Sequence, residues 1–260
     1  MHPAAWLVWA VAAGGIAMLT TNPFYLLPLA SMAAFVHAAC RVPGPGARSF
    51  RIFALFGVFA LITRTALVAV TPYAIGFDSV VLAAAEGLRL AVLLIVFGTF
   101  NSVSDPFKLL KLAPRRWHEP ALVVALALSI APRTIDAVEK VRGAQKMRGI
   151  EVLRWRSLPA LAVPVLSTGM ENALTLAASM DARGHGSGPR TRYRPDVWDR
   201  KSIAATLVCV VAVALFTAAL VRGEAGLLVS IPAEWPPVDP LLLLACVALA
   251  LPGLLSPTRT

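Results

Sequence analysis

Apolar runs recur along the chain at lengths suited to crossing a bilayer, separated by short stretches of polar and turn-forming residues. Residues 6–19 are apolar, Thr21-Asn22-Pro23 supplies turn chemistry, and 24–40 is apolar again, which predicts a tight hairpin of membrane helices. A loop with Pro43, Gly44, Pro45 and Gly46 follows, then two longer spans at about 52–71 and 80–100. Near the carboxy terminus, 202–221 and 241–255 form a second hairpin around a loop carrying Glu224, Glu234 and Pro236-Pro237. The pattern predicts an all-α polytopic integral membrane protein with amino-terminal membrane helices over 1–104 and a membrane hairpin over 202–260.

Between them, 105–201 has a different character, holding 17 of the 24 Lys and Arg residues while keeping apolar segments of helical length. It predicts cytoplasmic and interfacial amphipathic helices. On a helical wheel of 165–183, Val165, Leu166, Met170, Leu174, Leu176 and Met180 fill one half, and Ser167, Thr168, Glu171, Asn172, Thr175 and Ser179 the other. Residues 134–148 behave similarly, with Val138, Val141, Ala144 and Met147 opposed to Asp136, Glu139, Lys140, Arg142 and Lys146. Ile135 breaks that pattern, and 120–131 reads as a short buried or re-entrant helix, too short for a standard span.

Charge orients the chain. The link 72–79 carries no Lys or Arg, whereas Arg41, Arg48 and Arg51 lie on the same side as Lys108, Lys111, Arg115 and Arg116. The positive-inside rule makes that side cytoplasmic and, by alternation, both termini as well, in a multi-pass protein of the plasma membrane. Residues 1–5 lack the basic start and small-residue cleavage site of a secretory signal, so the first run is expected to be retained. The formal charge of +10 is concentrated between apolar runs, which argues against nucleic acid as the partner.

Chemistry-bearing patterns are few. Cys40, Cys209 and Cys246 lie in apolar segments without CxxC spacing, and His2, His37, His118 and His185 are scattered. There is no GxxxxGK[ST] loop and no HExxH, so no cofactor, metal or catalytic residue is expected, and any ATP chemistry must belong to another polypeptide. Arg64, Glu86 and Arg89 lie in or near spans, where ionisable groups are costly and often functional. Arg64 and Glu86 are placed for an intramembrane ion pair between adjacent antiparallel spans; a substrate or ion path is the alternative, as is snorkelling to the interface.

Two Arg-Gly endings stand out, Met147-Arg148-Gly149 and Ala182-Arg183-Gly184, each predicted to close a helix. Glycine permits the left-handed residue just past a helix terminus, and an Arg in the last turn is favoured by the negative end of the dipole. The dipeptide alone is ordinary capping, and it recurs at Arg142-Gly143 and Arg222-Gly223. Its setting gives more.

Thr21-Asn22-Pro23, Gly87-Leu88-Arg89, Ser104-Asp105-Pro106, Pro114, Ala131-Pro132, Ala144-Gln145-Lys146-Met147-Arg148-Gly149, Met180-Asp181-Ala182-Arg183-Gly184 and Arg190-Thr191 occur in that order. With them the chain resembles the transmembrane T component of energy-coupling factor (ECF) transporters, which includes the CbiQ-like proteins. The resemblance implies a non-catalytic scaffold of an ATP-driven importer of a vitamin or transition metal ion. It would join two cytoplasmic ABC-type ATPases to a small substrate-binding membrane subunit (S component). In that scheme Met147, Arg148, Gly149, Ala182, Arg183 and Gly184 form the ends of two coupling helices that enter the ATPase grooves. Ala182-Arg183-Gly184 matches the family's Ala-Arg-Gly motif, while Met147 stands where Ala is usual.

Two other classes remain open from the residues. One is an integral-membrane enzyme acting on a lipid or isoprenoid phosphate, which would need paired acids for a metal. The other is a membrane-anchored protein binding anionic membrane lipid through Arg190, Arg192, Arg194, Arg200 and Lys201.

Overall fold

The computed structural model describes residues 1–40, 45–70, 77–149, 158–185, 187, 197–223 and 237–255. Among these the regular elements are all helical. They are α1 Pro3–Leu19, α2 Pro23–Cys40, α3 Pro45–Val70, α4 Phe77–Val103, α5 Pro106–Leu110, a 3₁₀ turn Arg115–Trp117, α6 His118–Met147, α7 Leu158–Ala182, α8 Arg200–Arg222, α9 Pro240–Ala248 and α10 Leu251–Leu255. The chain is a polytopic membrane protein. Pro23–Cys40, Ser49–Val70, Asp78–Val103, Glu119–Met147 and Arg200–Arg222 are long and apolar enough to cross a bilayer, and Pro3–Leu19 and Pro240–Leu255 are shorter apolar helices.

One local device starts four of these helices. At His2-Pro3, Asn22-Pro23, Asp105-Pro106 and Asp239-Pro240 a side chain accepts an N–H of the first turn while proline occupies the position that needs no donor. Asn22 Oδ1 accepts from Phe24 N at 2.9 Å, and Thr20 Oγ1 accepts from Asn22 N at 3.1 Å. The Thr-Asn-Pro turn thus satisfies its own polar groups, which lets Asn22 be fully buried.

The chain divides into two units. The first, Met1–Leu112 with Asp196–Thr260, packs α1 against α8 and α4, α2 against α4 and α9, and α3 against α4. Trp9, Ile16, Tyr25, Leu26, Val92, Val96 and Phe216 form its core, joined by Cys40, Cys209 and Cys246, all buried free thiols. Buried aromatic polar atoms find partners: Trp9 Nε1 donates to the Leu249 carbonyl at 2.9 Å, and Tyr25 Oη accepts from Asp239 N at 2.7 Å. The span expected over 241–255 is interrupted, because α9 stops at Ala248 and α10 resumes at Leu251 beside Pro252, which has no N–H to continue the ladder.

The α3–α4 seam is glycine-rich. A Cβ on Gly87 would lie 3.1 Å from Leu61 Cα, and one on Gly98 would lie 2.8 Å from Phe53 Cβ. Small residues let helix backbones approach where lipid supplies no hydrophobic drive to associate.

The second unit, Ala113–Pro195, contains α6 and α7 packed on each other. Here the structure differs from the segmentation expected from sequence. Residues 120–131 and 134–147 are one continuous helix, α6, with Pro132 inside it. Proline removes one i→i−4 bond, which kinks or ends many helices, yet the apolar half and the amphipathic half belong to one helix here. The joined helix is long enough to cross a membrane, where 120–131 alone is not.

Candidate functional site

The two Arg-Gly endings have closely related backbone geometry. At the end of α7 the Gly184 amide donates to the Asp181 carbonyl at 2.9 Å and the His185 amide to the Met180 carbonyl at 3.0 Å. Gly184 has φ 73°. These two bonds and the left-handed glycine make a Schellman cap, in which orphan carbonyls of the last turn are satisfied by residues just outside the helix. At the end of α6 the Gly149 amide donates to the Lys146 carbonyl at 3.1 Å, Gly149 has φ 76°, and Arg148 is the capping residue with φ −85° and ψ 6°. Position 150, which would supply the second bond, lies outside the described residues.

Both Arg-Gly pairs face solvent. Met147, Arg148, Gly149, Ala182, Arg183 and Gly184 are all exposed, Met147 at 86%. Among the described residues neither Arg148 nor Arg183 has an ion-pair partner. Each side chain is therefore a cation held at the negative end of a helix and available to an acidic surface. The remaining Arg-Gly pairs separate: Arg142-Gly143 lies inside α6, whereas Arg222-Gly223 ends α8 with Gly223 at φ 70°. Left-handed capping by glycine is thus not peculiar to the two motifs. Their distinguishing feature is that they terminate the two long helices of one unit.

On α7 the polar half folds its hydroxyls back onto the helix, with Thr175 Oγ1 donating to the Glu171 carbonyl and Ser179 Oγ to that of Leu176. Of the apolar half, Leu166, Met170 and Leu174 are exposed at 65–70%, while Val165, Leu176 and Met180 are half-buried. The exposed strip of that half suits a protein or membrane contact.

In the first unit Arg64 Nη2 donates to Glu86 Oε2 across the α3–α4 seam, with both side chains partly exposed. Arg89, one turn further along α4, has a buried Nε without a hydrogen-bond partner. Gly87 was named from sequence only within Gly87-Leu88-Arg89, and neither it nor Gly98 was assigned close packing, although the two are eleven residues apart, three helical turns, and so share a face. Arg190, Arg192 and Arg194 lie outside the described residues, while Arg200 and Lys201 open α8.

Comparison with known proteins adds a relationship that geometry alone does not give. The family model CbiQ, described as "Cobalt transport protein", matches residues 1–193. A Bacillus subtilis (strain 168) protein named energy-coupling factor transporter transmembrane protein EcfT is 32% identical over 118 residues, 43% of this chain and 43% of its own length. Proteins of the same name from Staphylococcus aureus (strain 04-02981) and Heliobacterium modesticaldum are 31% identical over 125 residues and 38% over 97. Those matches cover 45% and 35% of this chain, and 46% and 36% of the relatives. The matched stretch therefore spans less than half the length of these relatives.

Proposed function

The chain belongs to the CbiQ family of cobalt transport proteins, and from that premise we propose that it is the transmembrane energy-coupling subunit, the T component, of an ECF-type importer. Its relatives carry the name of a transporter transmembrane protein, which supports a non-catalytic subunit. On this reading two cytoplasmic ABC-type ATPases supply the energy, and a small membrane subunit binds the substrate, a vitamin or transition metal ion. The second unit and both termini face the cytoplasm, by the charge asymmetry of the loops.

The observation that carries the proposal is the matched termination of α6 and α7. Each ends at an exposed left-handed glycine, immediately preceded by an arginine that has no ion-pair partner among the described residues. Arg148 and Arg183 would each bind an acidic groove on one ATPase through charge-assisted hydrogen bonds, and Gly149 and Gly184 would let the chain turn away at once. Closure of the ATPase pair on ATP would move both grooves, and α6 and α7 would carry that displacement toward the membrane as rigid levers. The exposed apolar face of α7, with Met170 and Leu174, would contact the membrane subunit, where a flexible thioether suits a contact that changes during the cycle.

The test is reconstitution. Vesicles containing this chain with its ATPases and membrane subunit should accumulate substrate only with ATP inside the ATPase compartment, and vesicles lacking this chain should hydrolyse ATP without uptake. Equal uptake without the chain would contradict the proposal.

A further inference from the structure

The chain leaves the first unit after Leu112 and re-enters it at Asp196. Any displacement carried along the chain from α6 and α7 therefore reaches the membrane helices through two short roots, α5 on the way out and residues 196–199, just ahead of α8, on the way back. Both roots meet the start of α1. Thr99 Oγ1 donates to the Ala33 carbonyl and His37 Nδ1 lies 2.6 Å from Ser102 Oγ, so α2 and α4 run parallel, and α1, the hairpin partner of α2, runs antiparallel to α4. The first turn of α1 thus lies at the end where α4 hands over to α5, and α1 packs on α5 as well as on α8.

The returning root is tied to that place by His2. Its backbone N–H donates to Ser202 Oγ, in the first turn of α8, at 2.9 Å, and its imidazole stacks on the Trp198 indole with ring centroids 4.4 Å apart and 17° between the planes. Ser202 and His2 are both buried. The start of α8 lacks the local device that opens four of the other helices, because Asp199 makes no side-chain cap bond. The hydrogen bond and the ring stack at its entry come instead from a residue 200 positions away. Burial is not what the indole contributes, since Trp198 keeps 44% of its surface exposed. Stacked rings add attraction beyond the area they cover and prescribe their mutual orientation. That matters for a lever, which moves what lies beyond its root only when the root is held; coupling is carried by packed side chains and rigid elements, and a root free to swing absorbs the displacement.

We propose that His2 and Trp198 are positioning residues for energy coupling, a clasp that fixes the returning root, residues 196–199, to the start of α1. The inference rests on the T-component reading above and adds the point at which its levers are anchored.

Its test is substrate uptake per ATP hydrolysed by the purified complex in vesicles, this chain together with its ATPases and membrane subunit. His2→Asn keeps a good cap on α1 while removing the ring, and Trp198→Ala removes the stack from the other side. Each should leave ATPase co-purification and ATP hydrolysis near wild type and lower uptake per ATP by about threefold or more, the weight of one ring stack in an equilibrium. The double variant His2→Asn/Trp198→Ala should fall no further than the worse single, because both act through one contact. Trp198→Phe, which keeps a ring at that position, should restore most of the ratio, and Val197→Ala, at an exposed neighbouring position, should leave it at the wild-type value. A purely structural role would lower the melting temperature and the yield of complex without changing the ratio. Unchanged uptake per ATP in His2→Asn and Trp198→Ala would therefore overturn the clasp, as would losses that simply multiply in the double variant. Absence of ATP-dependent uptake by the wild-type complex would overturn the coupling reading itself, and the role of the clasp with it.

Discussion

The backbone amide of His185 donates to the carbonyl of Met180 at 3.0 Å, wrapping the chain around Gly184 at φ 73°. That bond exists only because residue 184 adopts the left-handed conformation. A Cβ there would also sit 3.0 Å from Ser187 Oγ, while one on Gly149 would meet nothing within 4 Å. Gly184→Val should therefore cost more than Gly149→Val, by about 1 kcal/mol or more above the left-handed penalty common to both. Gly184→Asn should recover part of the loss, since Asn tolerates this region. Hydrogen exchange at the His185 amide reads the cap directly: faster exchange in Gly184→Val is expected, and unchanged protection would contradict the capping account.

The Arg64–Glu86 pair is the described salt bridge of the chain and lies across two spans. Removing one partner leaves an uncompensated ionisable group in an apolar setting, whereas removing both leaves two amides able to bond each other. Arg64→Gln and Glu86→Gln should each lower stability by about 1–3 kcal/mol, with the double variant nearer wild type than the worse single. Thermal melts in a mild detergent measure the cycle, and strictly additive losses would show that the two residues do not act as a pair.

Glycines of the α3–α4 seam can be separated from glycines without neighbours. Gly98→Ala would force a methyl to within 2.8 Å of Phe53 Cβ, whereas Gly15→Ala in α1 meets nothing within 4 Å. The first should destabilise by about 1–3 kcal/mol through overpacking. The second should be neutral or stabilising, because alanine is the better helix former. The same melting assay distinguishes them, and equal effects would place the seam elsewhere.

What was legible in the sequence follows the range of each interaction. Asn22-Pro23 and Asp105-Pro106 announce helix starts because a cap is made within three residues, and Gly149 and Gly184 announce endings for the same reason. The facing of Arg64 and Glu86 also followed from sequence, since an antiparallel hairpin fixes which residues lie level. The continuity of α6 through Pro132 was not legible, because whether proline bends or ends a helix depends on what its neighbours supply. Packing of α1 on α8, almost two hundred residues away, leaves no local trace; His2 N donating to Ser202 Oγ at 2.9 Å is visible only in the fold. The exposed endings of α6 and α7 were legible as helix termini, but no residue in them names the surface they meet.

That surface is the central claim. The most direct measurement is quantitative co-purification of the ATPase subunits with the tagged chain in mild detergent, comparing wild type, Arg148→Ala/Arg183→Ala and Arg192→Ala/Arg194→Ala. The account predicts two ATPase subunits per wild-type chain, loss of at least about tenfold in affinity for the first double variant, equivalent to about 1.4 kcal/mol, and near-wild-type recovery for the second. Full ATPase recovery with Arg148→Ala/Arg183→Ala, or loss confined to Arg192→Ala/Arg194→Ala, would contradict it.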